Sequence, residues 1–148
     1  MKISTKGRYA LHMMLDIALN GDAGPVSFSD VSSRQGISIK YMEQIGSKLV
    51  RAGLLRSVRG AQGGYYLTRP ASGYTVGEIL RTTEGQLYPV PCLEETTCPR
   101  SLECLTIPLW ERLNDAINDV VDNMTLQDLI DINRSRHMIH IDGDATVE

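Results

Sequence analysis

The three cysteines of this chain, Cys92, Cys98 and Cys104, stand at two equal steps of six residues in the stretch CLEETTCPRSLEC. Thiolates are nucleophiles, redox centres and soft metal ligands, so a ladder of three invites a shared chemistry. Regular structure does not gather them. On an α-helix six residues turn about 240°, and the three thiols would point three ways. On a strand they would share a face but stand about 20 Å apart at each step, and Pro99 disfavours both elements. Thiols that act together here need a loop wrapped around something. An odd number also leaves no complete set of internal disulfides.

The rest of the chain must position that loop. It has 148 residues, 42% of them hydrophobic, enough for one core with an appended helix. No stretch approaches the roughly 18 apolar residues of a membrane span. The opening MKISTKGRYALHMMLDIAL is interrupted by His12 and Asp16, so it reads as mature structure rather than a leader. A cytoplasmic protein with reduced thiols and no membrane partner is the expectation. The net charge of −3 conceals a division. Residues 1–84 carry eleven Lys/Arg against six Asp/Glu, and residues 85–148 carry four against twelve. Between residues 38 and 69 there are six basic residues and a single acid, Glu43. A basic front with an acidic back suits a protein that meets a polyanion with one end.

Hydrophobic spacing orders the elements. Leu11, Met14, Leu15 and Ala18 mark a first helix over roughly residues 5–20. Ser27 and Asp30 read as a helix start and Gly36 as its end. Ser38 opens a longer helix, SIKYMEQIGSKLVRAG, with Met42, Ile45 and Leu49 inward and Gly53 at its close. Two helices joined by a tight glycine turn, the second rich in base, make a helix-turn-helix. LLRSVRGAQGGYYLTRP then reads as a β-hairpin with a glycine-rich tip carrying Arg59, where Gly60, Gly63 and Gly64 are expected to approach the backbone closely and take positive φ. Thr75 and Glu78 start a further short helix. After the cysteines, Leu109, Leu113, Ile117, Val120, Val121 and Met124 form one apolar stripe opposite Glu111, Asp115, Asp119 and Asp122. The fold class is therefore mainly α with a small hairpin wing: a winged helix-turn-helix head and a long C-terminal dimerisation helix. Its parts are the DNA-binding head over 1–84, a cysteine-rich loop over 85–104, the dimerisation helix region over 105–131 and a flexible polar tail over 132–148.

The opening MKISTKGRYALHMMLDIAL, the segment ISIKYMEQIGSKLVRAGLL, the wing SVRGAQGGYYL and the cysteine ladder together resemble the IscR-type iron–sulfur cluster regulators and their superfamily of dimeric winged-helix transcriptional regulators. The resemblance runs to about residue 131. It implies double-stranded DNA and a second copy of the chain as partners, with neither enzymatic activity nor a small-molecule substrate. It also implies an iron–sulfur cluster, of the 2Fe–2S type, on Cys92, Cys98 and Cys104. Such a cluster takes four protein ligands, and relatives carry a His three residues after the last Cys, where this chain has Ile107. Candidates for the fourth ligand are His12 in the first helix, His137 and His140 in the tail, and Glu94, Glu95, Glu103 and Glu111. A metal-free thiol switch and a structural zinc site are the alternatives, although zinc sites favour closer cysteine pairs.

On the DNA side, Ser38, Lys40, Tyr41, Glu43 and Gln44 fall in the N-terminal part of the recognition helix, the part that meets base edges. The resemblance makes Glu43 and Gln44 the base readers, suited to cytosine N4 and to adenine. Arg59 at the wing tip is placed for the minor groove.

Overall fold

The computed structural model describes residues 2–94 and 98–143. Six helices and one hairpin follow one another as α1 (Thr5–Asn20), α2 (Phe28–Gln35), α3 (Ile39–Arg51), β1 (Leu55–Val58), β2 (Gly64–Leu67), α4 (Val76–Glu84), α5 (Ile107–Asn123) and α6 (Leu126–Gly143). The sequence marks most starts: Ser27, Ser38 and Thr75 each accept a hydrogen bond from the backbone N–H three residues on. Gly36, at φ 66°, ends α2 in the left-handed turn that leads into α3.

One core holds the head together. Met13, Met14 and Ile17 of α1 meet Val31 of α2, Met42, Ile45 and Leu49 of α3, and Ile79 of α4. Each such side chain contributes about 1.5–3 kcal/mol of hydrophobic stabilisation. The inner face of α1 is Ala10, Met13, Met14 and Ile17, with Leu11 and Leu15 only half-buried. The stripe read from Leu11, Met14, Leu15 and Ala18 is therefore turned by about one residue from the observed one, because two apolar stripes at helical spacing overlap in α1 and share Met14. Asp16 is buried within it. Arg34 holds it through Nε and Nη2, Gln35 donates to it at 3.0 Å, and so the carboxylate fastens α1 to the end of α2.

The strands pair antiparallel, with Leu55 opposite Leu67 and Val58 opposite Gly64. Val26 and Tyr65 exchange two backbone bonds, of 3.0 and 2.8 Å, so the wing is sewn to the segment before α2. The ring of Phe28 stacks on Tyr65 at 3.7 Å. Gly46 of α3 makes room for it, since a Cβ there would lie 2.1 Å from Phe28 Cζ. At the wing tip only Gly60 has positive φ (118°); Gly63 and Gly64 are required by close approach, to Val58 O and to the Val26 backbone. The wing base hangs on the fully buried Tyr74 hydroxyl. It accepts from the N–H of Thr68 (2.7 Å) and of Arg69 (2.9 Å) and donates to Leu54 O (2.9 Å).

The C-terminal part departs from the single long helix with a loose tail. Helix α5 stops at Asn123, and α6 starts at Leu126 and runs through the segment expected as tail to Gly143. The break is a reciprocal capping box. Thr125 Oγ1 accepts from Asp128 N at 3.1 Å, while Asp128 Oδ2 accepts from Thr125 N at 2.8 Å. Val76 N to Met124 O (2.8 Å) and Leu126 N to Tyr74 O (3.1 Å) bolt this corner to the head. Leu126 and Ile130 are then buried, which pins the first turns of α6.

Candidate nucleic-acid interface and cysteine loop

The inner face of α3 (Met42, Ile45, Gly46, Leu49) turns the rest of the helix outward. Ser38, Ile39, Lys40, Glu43, Gln44, Ser47, Lys48 and Arg51 are all exposed. Ser38 spends its hydroxyl on the cap, accepting from Tyr41 N at 3.3 Å. Tyr41 is half-buried, its ring edge-on to Tyr9 at 5.6 Å, so of the five α3 positions proposed for DNA it reaches least into solvent. Two grooves flank the helix and meet at Glu43. One is lined by Lys6, Lys40, Gln44, Ser47, Lys48 and Arg51. The other runs between Ser27, Phe28 and Ser29 of α2, Ile39 of α3 and the wing tip Arg59–Gly60.

Glu43 has no ion pair or side-chain hydrogen bond among the described residues, although Lys40, Lys48 and Arg59 share its grooves. A lone carboxylate left unpaired among cations adds nothing to folding and opposes phosphate. Its chemistry is that of an acceptor for a base-edge amine. Arg59 stands free at the wing tip, whereas Arg56 lies over the Tyr66 ring at 4.7 Å and is partly occupied there. Residues of this face that escaped sequence reading include Ile39, the exposed first residue of α3, and Ser29, Ser47 and Lys6. Ser29 had a visible signal, in the first turn of the first helix-turn-helix helix. Ser47 lies one turn beyond Glu43. Lys6 had none, because only the packing of α1 beside α3 brings it there.

The cysteine loop leaves α4 at Gly85, whose φ of 80° only glycine takes without strain. Short turns such as Ser101 N to Cys98 O (3.0 Å) and Glu103 N to Arg100 O (3.1 Å) satisfy its backbone locally. Cys92 is exposed, and Cys98 and Cys104 are half-exposed. Among the described residues no three His, Cys, Asp or Glu side chains are gathered tightly enough to hold a metal ion. The donor chemistry nonetheless suits a soft metal centre: three accessible thiols, Cys92 in the single 3-10 turn Pro91–Leu93 and Cys98 and Cys104 among the turns before α5. At Cys104 the Thr106 hydroxyl, 3.2 Å from the sulfur, holds the thiol below its ordinary pKa. Trp110 Nε1 donates to the same Thr106 oxygen at 3.2 Å, which leaves the hydroxyl proton free for the sulfur. Of the fourth-ligand candidates, His12, Glu94, Glu103, Glu111 and His137 are exposed. Glu95 and the side chain of His140 lie outside the described residues.

Downstream, α5 buries no residue completely. Ile117 and Val121 pack beside Val76 and Leu80, and Arg81 clamps Asp122 (2.6 Å) and Asn118 (2.6 Å). Leu109, Leu113 and Val120 remain exposed, and Leu102 and Leu105 at the end of the cysteine loop are 100% and 97% exposed. No described helix is long and apolar enough to cross a membrane.

Comparison with known proteins agrees with this architecture. The model of the Rrf2 family, described as iron-dependent transcriptional regulators, matches residues 3–132. The HTH-type transcriptional regulator IscR of Escherichia coli is 43% identical over 130 residues, covering 88% of this chain and 80% of that protein. Among solved structures, CymR, the global cysteine regulator of B. subtilis, superposes with a TM-score of 0.74 at 40% identity, covering 87% of this chain and 95% of that one. IscR of T. potens superposes with a TM-score of 0.73 at 38% identity, covering 90% and 88%. A winged helix with a basic outer face, the match along almost the whole chain and relatives named as regulators rather than enzymes lead to one conclusion: this chain belongs to the Rrf2 family of DNA-binding transcriptional regulators.

Proposed function

We propose that the chain is a homodimeric regulator whose choice of promoter follows an iron–sulfur cluster, of the 2Fe–2S type, held by Cys92, Cys98 and Cys104. The observation that carries this reading is the loop itself. Three accessible thiols stand on short turns, Cys92 in the turn Pro91–Leu93 and Cys98 and Cys104 in those that run directly into an uncovered apolar helix face. When bound, the cluster supplies a one-electron redox couple and cross-links the turns of the loop. The protein's own residues do the rest. Thr106 favours the thiolate at Cys104, and Leu102, Leu105, Leu109 and Leu113 give the second copy a continuous stripe to cover. His12 is exposed and unpaired among the described residues, so it is free to complete the ligand set on the partner's loop. Ser38, Lys40, Tyr41, Glu43, Gln44 and Arg59 form the DNA face, with Glu43 and Gln44 reading bases and Arg59 in the minor groove. Binding a cluster changes DNA affinity only as far as the two DNA-binding states differ in their affinity for it.

The test is iron and acid-labile sulfide per subunit, with the visible spectrum, on protein purified without oxygen. Equal amounts of iron and sulfide, lost together in Cys92→Ala, support the reading; colourless protein after reconstitution overturns it. A second reading, a metal-free thiol switch, draws on the same Cys104–Thr106 contact. It predicts that colourless protein loses DNA affinity on peroxide treatment and regains it with a dithiol.

A further inference from the structure

The outer face of α3 is polar with one exception. Ile39, its first residue, is 46% exposed, while its neighbours Ile37 and Met42 are 6% and 0% exposed and belong to the core. Single exposed aliphatic residues are ordinary on protein surfaces, and exposure alone assigns nothing. Position does more. Ile39 has no part in the core cluster of the head. A β-branched residue in an exposed first turn is also a poor choice for helix stability. It lines the groove between α2, α3 and the wing tip, together with Ser29, Glu43, Val58 and Arg59. An aliphatic side chain in that groove has one apolar partner among the base edges of the major groove, the C5-methyl of thymine.

We propose that Ile39 is a base-reading residue that packs on a thymine methyl. The inference rests on the DNA face assigned above and deepens it. Four residues of helix separate Ile39 from Glu43, about 6 Å along the axis, while base pairs stack about 3.4 Å apart. The thymine therefore lies one or two base pairs from the pair that Glu43 reads. The two contacts divide the work: the carboxylate selects an amine, and the isoleucine selects a methyl beside it.

The experiment begins by selecting binding sites for the full-length protein from random duplex DNA. Each thymine of the selected site is then replaced by uracil, which removes the methyl and keeps every hydrogen-bonding group. One replacement, one or two base pairs from the Glu43 pair, should weaken binding about four-fold per half-site, the worth of one buried methyl group. Ile39→Ala should bind the thymine duplex as weakly as the wild type binds the uracil duplex. It should no longer respond to that methyl, yet keep full discrimination at the Glu43 pair, which a misfolded head would not. Ile39→Leu should restore the response. A fully uracil-substituted site bound as tightly as the original overturns the proposal, and so does an Ile39→Ala protein that still senses the same methyl. Failure to select any sequence overturns the assigned DNA face, and the role of Ile39 with it; a selected site without methyl sensitivity removes only Ile39.

Discussion

Glu43, in its proposed role as a base reader, would matter for discrimination without helping the fold. Nothing described in the protein bonds to its carboxylate, and cations line both grooves that meet there. Glu43→Ala should therefore leave stability within about 0.5 kcal/mol of wild type, as for surface substitutions elsewhere. It should relax preference at one base pair by about 1–3 kcal/mol, read from a binding-site profile. Cys104 offers a second residue-scale prediction. Because the Thr106 hydroxyl lowers its pKa, Thr106→Val should move the alkylation profile of Cys104 to higher pH, measured by mass spectrometry of iodoacetamide adducts on apo protein. The two residues differ in how visible they were beforehand. Glu43 stands out in the sequence as the only acid between residues 38 and 69. The Thr106 contact does not, because it exists only once the turn before α5 brings hydroxyl, sulfur and indole together.

Among the elements, α3 and the wing depend on a missing side chain. Alanine is a better helix former than glycine by about 1 kcal/mol, so propensity alone would make Gly46→Ala stabilising. The added Cβ would meet Phe28 Cζ at 2.1 Å, with Tyr65 stacked on the same ring. Overpacking costs about 1–3 kcal/mol and should win, giving a net loss in urea denaturation. Tyr74→Phe strips the wing base of its hydroxyl and leaves the buried Leu54 carbonyl and the part-buried N–H groups of Thr68 and Arg69 without that partner. A loss of about 1 kcal/mol is expected, mostly from the buried Leu54 carbonyl, with faster amide exchange at the exposed Thr68 and Arg69. The corner between α5 and α6 has a pH signature. Arg81 holds Asp122, and the Thr125 backbone N–H holds Asp128, below the usual carboxylate range. Depressed carboxylates contribute stability above their unfolded pKa near 4 and lose it as pH falls through their folded values, so this corner should loosen first on acidification. The caps at Ser27, Ser38 and Thr75 made most of the head legible in advance, since a cap is written in one residue and its neighbours. The corner at Thr125 was equally written, as T-L-Q-D and in the apolar stripe from Leu109, which ends at Met124 because Gln127 and Asp128 stand three and four residues on. The face of α1 was only half legible, because its sequence carries two overlapping stripes at helical spacing, and the packing of α2, α3 and α4 selects the one through Ala10, Met13, Met14 and Ile17.

For the molecule as a whole, the basic half carries the proposed DNA face and the acidic half carries the cysteine loop and α5. Binding should weaken linearly in log–log salt titration, with a slope that becomes shallower by about one for each phosphate-contacting Lys or Arg removed, Lys48→Ala and Arg51→Ala being the first choices. Leu109→Asp with Leu113→Asp should convert a dimer to a monomer in sedimentation without unfolding the head, since both side chains are exposed in the single chain. The corner at Met124–Thr125 gives this arrangement a mechanical character. Helix α5, 17 residues and about 25 Å long, is bolted to the head at its C-terminal end through the Met124 carbonyl and the Arg81 clamp. Its other end bears the cysteine loop, and there its leucines touch little of the head. The helix is thus a cantilever with its fulcrum against Tyr74 and Val76, next to the hydroxyl that suspends the wing. A load placed on the cysteine end would be borne at the corner beside Tyr74 and Val76, close to the root of the wing.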